Sequence, residues 1–162
     1  MTVNVGTVYH IKKEYFDLTM GCGVKSYSPN GHTFPAYCCF KDKETSLYWL
    51  IPMSKNIEKY KAVYDKEMSK YNHCYSIVFG EYDKHLVAFQ VQSMFPVLKK
   101  HVLYRHTRNR KAILVEHNLR EEIKYCFDKM RELDEKGIEG VMHDNRRIER
   151  LLMSYPIECT HN

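Results

Sequence analysis

The spacing of apolar residues along this chain switches between two and about three and a half, and each switch marks the boundary of an element. Val3, Val5, Val8 and Ile11, with Tyr9 among them, predict a first strand, followed by a short turn or helix over residues 13–19. Residues 20–33 hold Gly21, Gly23, Ser26, Ser28, Pro29, Asn30 and Gly31, a density of turn formers that predicts a loop. A loop of that length inside a domain tends to be functional or mobile. Residues 34–41 and 46–51 predict two strands joined by the polar turn Asp42-Lys43-Glu44-Thr45. Residues 74–80 and 85–92 repeat that hairpin around Glu81-Tyr82-Asp83-Lys84, and Met94-Phe95-Pro96-Val97 ends it.

The sharpest switch falls between the hairpins. Tyr48-Trp49-Leu50-Ile51 favours a pleated, half-buried strand, and Pro52, which lacks an N–H, is expected to stop it. Ile57, Tyr60, Tyr64, Met68 and Tyr71 then share one face of a helix that ends near Asn72, with Asn56 as its N-cap and Glu58 in its first turn. Further on, residues 99–103 predict a short helix or an extended segment. Asn118-Leu119-Arg120-Glu121 fits a capping box for a helix whose stripe runs through Leu119, Ile123, Cys126 or Phe127, Met130 and Leu133 to a stop at Lys136-Gly137. Asp144 caps a last helix carrying Ile148, Leu151 and Leu152, and the tail after Pro156 is expected to fray. Five or six antiparallel strands with one inserted and two trailing helices make an α+β domain, and short, curved strands suit a small, partly open barrel.

Composition narrows the class. The 162 residues match one domain with a sizeable core, and the formal net charge of +5 favours an acidic partner without demanding one. The six cysteines (22, 38, 39, 74, 126 and 159) show no C-x-x-C pair or other metal spacing, so they read as reduced thiols, and neither a metal nor another cofactor is expected. No signal-peptide pattern opens the chain and no apolar run approaches membrane-spanning length, which predicts a soluble, cytoplasmic protein with no membrane partner.

Two stretches carry candidate chemistry. Between residues 99 and 111 stand six cations, Lys99, Lys100, Arg105, Arg108, Arg110 and Lys111, interleaved with His101, Tyr104 and His106 and with no carboxylate. Cations for phosphate and rings for bases are what a single-stranded nucleic acid requires, although a solvated loop has the same composition. At the elbow, Ser54, Lys55 and Asn56 flank the N–H groups of a helix start, where an anion is favoured. RNA can be cut without metal when its own 2′-hydroxyl attacks the adjacent phosphorus, a step that needs a proton acceptor, a proton donor and a cation. Lys55 can supply the cation, and Ser54-Lys55-Asn56 can equally be only a cap. Tyr9 and Tyr15 can stack on a base if the first strand abuts the elbow; His32, in the glycine-rich loop, is a candidate acid or base. Cys38 and Cys39 point to opposite strand faces without a base beside them and read as packing.

The order of Tyr9-x-Ile11-x-x-x-Tyr15, Phe34-Pro35-Ala36-Tyr37, Leu50-Ile51-Pro52-Met53-Ser54-Lys55 and Ser93-Met94-Phe95-Pro96-Val97 before a long helix resembles the ToxN/AbiQ superfamily of type III toxin-antitoxin endoribonucleases. Trp49-Leu50-Ile51-Pro52-Met53-Ser54, Ile57-Glu58-Lys59-Tyr60-Lys61, Tyr64-Asp65-Lys66 and Ile77-Val78-Phe79-Gly80 are most similar to its CptN branch. The resemblance spans about residues 8–137. It implies a PemK/MazF-like curved antiparallel sheet with peripheral helices, and a metal-independent phage-defence ribonuclease leaving a 2′,3′-cyclic phosphate and a 5′-hydroxyl. It further implies partners: target RNA, a small structured repeat RNA as antitoxin, and a closed protein-RNA assembly. Carried onto this chain, it puts catalysis at Ser54 and Lys55, with Tyr9 and Tyr15 in the groove. The ToxN branch has two hydroxyl residues after the proline motif and a lysine two positions further, whereas Ser54 is followed at once by Lys55, so Lys55 and Lys59 both qualify for the active-site lysine. A non-catalytic RNA- or DNA-binding module is the alternative, and a protein-binding antitoxin using the tyrosine-rich helix is a third reading.

Overall fold

The strand entering the elbow lies at the centre of the sheet in the computed structural model, which describes residues 1–24, 35–138 and 140–154. In chain order the elements are β1 (Val8–Ile11), α1 (Lys13–Leu18), β2 (Ala36–Lys41), β3 (Tyr48–Ser54), α2 (Ile57–Tyr71), β4 (Val78–Tyr82), β5 (His85–Phe89) and β6 (Phe95–Val97). Then come β7 (Val102–Arg105), β8 (Thr107–Arg108), β9 (Lys111–Ala112), α3 (His117–Glu135) and α4 (Asn145–Ser154). The antiparallel order is β4-β5-β3-β2-β1-β7, with β6 on the first half of β3, so the main sheet has seven strands; β8 and β9 form a separate ribbon.

Alternation along β3 sorts the core into two faces. Trp49, Ile51 and Met53 join Val8, Tyr37 and Phe89 beneath the stripe of α3, where Leu119, Ile123, Phe127 and Met130 are buried. Tyr48 and Leu50 join Tyr9, Ile11 and Cys38 on the opposite face, covered by Tyr15 and Phe16 of α1 and by Ile148 and Leu152 of α4. α2 is more peripheral: of its predicted stripe only Tyr60 is fully buried, packed with Ile77 and Ala88. The α3 contact is close enough that Gly80 of β4 lies directly against the Leu119 methyls, where a Cβ would collide.

The α+β architecture, both hairpins and the helix order follow the sequence reading. Asp144 caps α4 through its Oδ1, which accepts from the Arg147 N–H at 3.1 Å. Four details depart from it. The first strand is confined to Val8–Ile11. β3 runs through Pro52 to Ser54 instead of stopping at the proline. The Pro52 carbonyl accepts from the Gln90 N–H at 2.9 Å, so its nitrogen faces the break between β5 and β6, where no ladder partner is lost. The cap of α3 is Glu116, whose carboxylate accepts from the N–H groups of Asn118 and Leu119, in place of an Asn118 capping box. Finally, Phe95–Val97, expected only to end the second hairpin, is a sheet strand of its own, whereas residues 99–103 split into a 3₁₀ turn and the start of strand Val102–Arg105, in keeping with the short helix or extended segment expected there.

The sheet does not close into a barrel. Side chains join its two ends all the same: Arg108 Nη1, just beyond β7, lies 2.9 Å from Asp83 Oδ1 at the tip of the β4–β5 hairpin. Tyr82 of β4 packs on His106 with ring centroids 6.0 Å apart. Both contacts depend on tight two-residue turns, since Asp83 and Lys84, and likewise Asn109 and Arg110, take positive φ as a type I′ hairpin requires.

Candidate functional site

The elbow is built as a helix cap. Ser54 Oγ accepts from the Asn56 N–H at 3.1 Å, the Lys55 carbonyl accepts from the Ile57 N–H at 2.9 Å, and Asn56 Oδ1 accepts from the Lys59 N–H at 3.4 Å. Asn56 is thus the predicted N-cap, and several of the N–H groups suited to cradle an anion already have acceptors. Glu58 adds a negative charge in the same turn. Lys55 and Lys59 are exposed, with Lys59 Nζ 5.4 Å from the centre of the Tyr60 ring. The cations at this helix start are available; its hydrogen-bonding groups are largely occupied.

The tyrosines expected beside the elbow are core residues instead. Tyr9 is fully buried, its hydroxyl accepting from the Asn4 N–H at 2.8 Å. Tyr15 is fully buried too, and its hydroxyl donates to the Pro96 carbonyl at 2.8 Å; burial raises its phenol pKa well above the ordinary value. Neither has a face left for a base, because both rings are fully buried in the core cluster that includes Phe16, Phe95, Ile148 and Leu152. His32 lies outside the described residues. Cys38 and Cys39 do fall on opposite faces, and burial pushes the Cys38 thiol up to about 12, which suits packing. Among the described residues no three His, Cys, Asp or Glu side chains group as metal ligands. None of the described helices is long and apolar enough to cross a membrane.

The basic stretch is folded, which the sequence did not require. Lys99 and Lys100 are exposed on a 3₁₀ turn whose third residue, His101, is buried. β7 then exposes Leu103 and Tyr104 and half-buries Arg105, and the β8–β9 ribbon exposes Arg108, Arg110 and Lys111. Arg105 is in register with Tyr9, Tyr9 with Ala36, and Ala36 with Pro52. The stretch and the elbow strand are therefore in one sheet, three strand intervals or about 14 Å apart.

The third group is a row of four rings at the meeting of the sheet's ends. His10 of β1 is in register with Tyr104 of β7, and their rings stack at 4.6 Å. His10 Nε2 lies 2.9 Å from His106 Nδ1, and Tyr82 continues the row beyond His106. His10 is only 8% exposed, whereas Tyr104 is 50% exposed and His106 is half-buried. Tyr82 is buried, and its hydroxyl has no hydrogen-bond partner among the described residues. Burial raises its phenol pKa, with Asp83 adding to the effect. Sequence reasoning had Tyr104 and His106 in the basic stretch but missed His10 and Tyr82. No local signal could have joined His10 to His106 across 96 positions.

No protein-family model matches the chain, and no curated protein matches it.

Proposed function

We propose that this chain is the endoribonuclease toxin of a type III toxin-antitoxin system. It cuts RNA without metal by attack of the 2′-hydroxyl on the adjacent phosphorus, and a small structured RNA restrains it in the cytoplasm. The observation that carries this reading is the surface of β7 and the β8–β9 ribbon, where exposed Lys99, Lys100, Arg108, Arg110 and Lys111 accompany the exposed Tyr104 ring and the imidazole of His106. Cations spaced along a strand track a phosphate backbone, an open aromatic face takes a base, and an imidazole can move the proton that transphosphorylation requires. The resemblance of the elbow motif to the ToxN/AbiQ superfamily supports the same reaction, with Ser54 and Lys55 before α2 and Lys59 in its first turn as RNA-contacting candidates. The antitoxin RNA and the closed protein-RNA assembly rest on that resemblance alone.

One observation favours the alternative of a non-catalytic RNA- or DNA-binding module: the Ser54 and Asn56 side-chain oxygens serve the α2 cap. Incubating the purified protein with RNA in excess chelator separates the two. The ribonuclease reading expects cleavage, abolished or strongly slowed in Lys55→Ala with its fold intact. Binding without cleavage, or cleavage only after divalent metal is added, overturns that reading.

A further inference from the structure

We infer that His106 is the proton acceptor of the cleavage step, that His10 positions it, and that single-stranded RNA enters over β7 with a base on Tyr104. This rests on the ribonuclease reading above but moves the scissile phosphate and its proton transfer from the elbow to the ring row, about 14 Å away across three strand intervals, so that Lys55 meets the RNA backbone beyond the cut. With 2.9 Å between His10 Nε2 and His106 Nδ1, one nitrogen must donate and the other accept. When Nδ1–H of His106 donates, its Nε2 carries a lone pair and His10 holds its own proton on Nδ1. Once His106 takes up a proton, the same bond becomes charge-assisted and stronger, so His10 stabilises the imidazolium as it forms.

Burial decides which imidazole meets substrate. His10 is 8% exposed and stacked on Tyr104, while His106 is half-buried and reachable. The outer surroundings suit RNA. Tyr104 is 50% exposed and stacks on His10, leaving ring surface open to a base. The buried Tyr82 hydroxyl beside His106 has no partner among the described residues. The Arg108 guanidinium is held at the same seam by Asp83, and Arg105 lies one residue before His106. Among the described residues, the charged and titratable groups near the imidazole include His10 of β1, Tyr104 and Arg105 of β7, Arg108 of β8, and Tyr82 and Asp83 of the β4–β5 hairpin.

The step balances as follows. His106 Nε2 takes the 2′-hydroxyl proton as the O2′–P bond forms and the P–O5′ bond breaks. Water protonates the departing 5′ oxygen, and the imidazolium returns its proton to solvent. The products are a 2′,3′-cyclic phosphate and a 5′-hydroxyl.

Single-turnover cleavage and RNA affinity are measured separately on the full chain, in chelator, from pH 5 to 8. His106→Ala is expected to lower the rate constant by about 100-fold or more while affinity changes only a few-fold. His10→Ala lowers the rate and moves the rising limb of the pH profile; His10→Gln, whose side-chain carbonyl can accept from His106 Nδ1–H, recovers part of both. Tyr104→Ala weakens RNA binding by about tenfold or more through lost stacking. If His106→Ala does not fold, His106→Gln replaces it, with circular dichroism checking the fold. Wild-type cleavage with no rising limb, or an unchanged rate in the folded His106 variant, overturns this inference and leaves the ribonuclease reading standing. A wild-type protein that binds RNA and never cuts it ends both.

Discussion

The buried His101 should make the fold sensitive to mild acid. Its side chain is 8% exposed, its Nδ1 has no partner among the described residues, and its ring packs 5.5 Å from that of Tyr15. Burial, reinforced by Lys100 and Lys12 and opposed by Glu14, lowers its pKa to about 4 from the usual 6.5. The unfolded chain takes up a proton on this residue as pH falls through about 6.5, whereas the folded chain resists until near 4. In that window the unfolded state binds more protons, so stability rises with pH. The contribution is fully present above the unfolded pKa and is lost as pH falls toward the folded one. The whole gap corresponds to about 3 kcal/mol, of which about 2 kcal/mol is lost by pH 5, and solvent reaching the ring edge reduces this to roughly 1–2 kcal/mol. His101→Phe keeps the aromatic contact with Tyr15 and removes the titration. Urea unfolding followed by the fluorescence of the single tryptophan, the buried Trp49, measures the effect at pH 7.5 and pH 5. Wild type should lose about 1–2 kcal/mol more than His101→Phe between these conditions. Equal losses would refute the reasoning.

Other consequences follow from the packing. Tyr15→Phe removes the buried hydroxyl bond to the Pro96 carbonyl and should cost about 1–2 kcal/mol in urea unfolding while leaving RNA affinity within about twofold. A large loss of RNA binding by a stable Tyr15→Phe protein would return this ring to the groove. Gly80→Ala sets a methyl against the Leu119 side chain and should destabilise by about 1–3 kcal/mol. Adding Leu119→Ala should recover part of the loss, and strict additivity of the two would show that the contact does not limit the site. Asn56→Ala deletes the cap on the Lys59 N–H and should cost about 1 kcal/mol, read as a lower urea midpoint.

Much of the fold was legible because local chemistry and tertiary packing agree there. Asn56 and Asn72 bound α2 as cap and left-handed stop, and the α3 stripe from Leu119 to Met130 is buried as its spacing requires. Legibility failed where local cues were ambiguous. β7 exposes Leu103 and Tyr104 at the edge of the sheet, so its alternation is masked by the charges around it. Pro52 usually ends a strand but is tolerated where the partner strand is interrupted. Tyr9 and Tyr15 carry both a large apolar body and a hydroxyl, and the side chain that suits a groove equally suits a core with a backbone partner nearby. At the candidate site, the basic stretch could be read as a run of charges, while the His10–His106 pair exists only because β1 and β7 are neighbours.

The chemistry of the cut ends tests the central claim most directly. Mass spectrometry of RNA fragments released by the purified protein in excess chelator should find a 2′,3′-cyclic phosphate on one side of the break and a 5′-hydroxyl on the other. Ends bearing 5′-phosphate and 3′-hydroxyl, or RNA left intact, would contradict it.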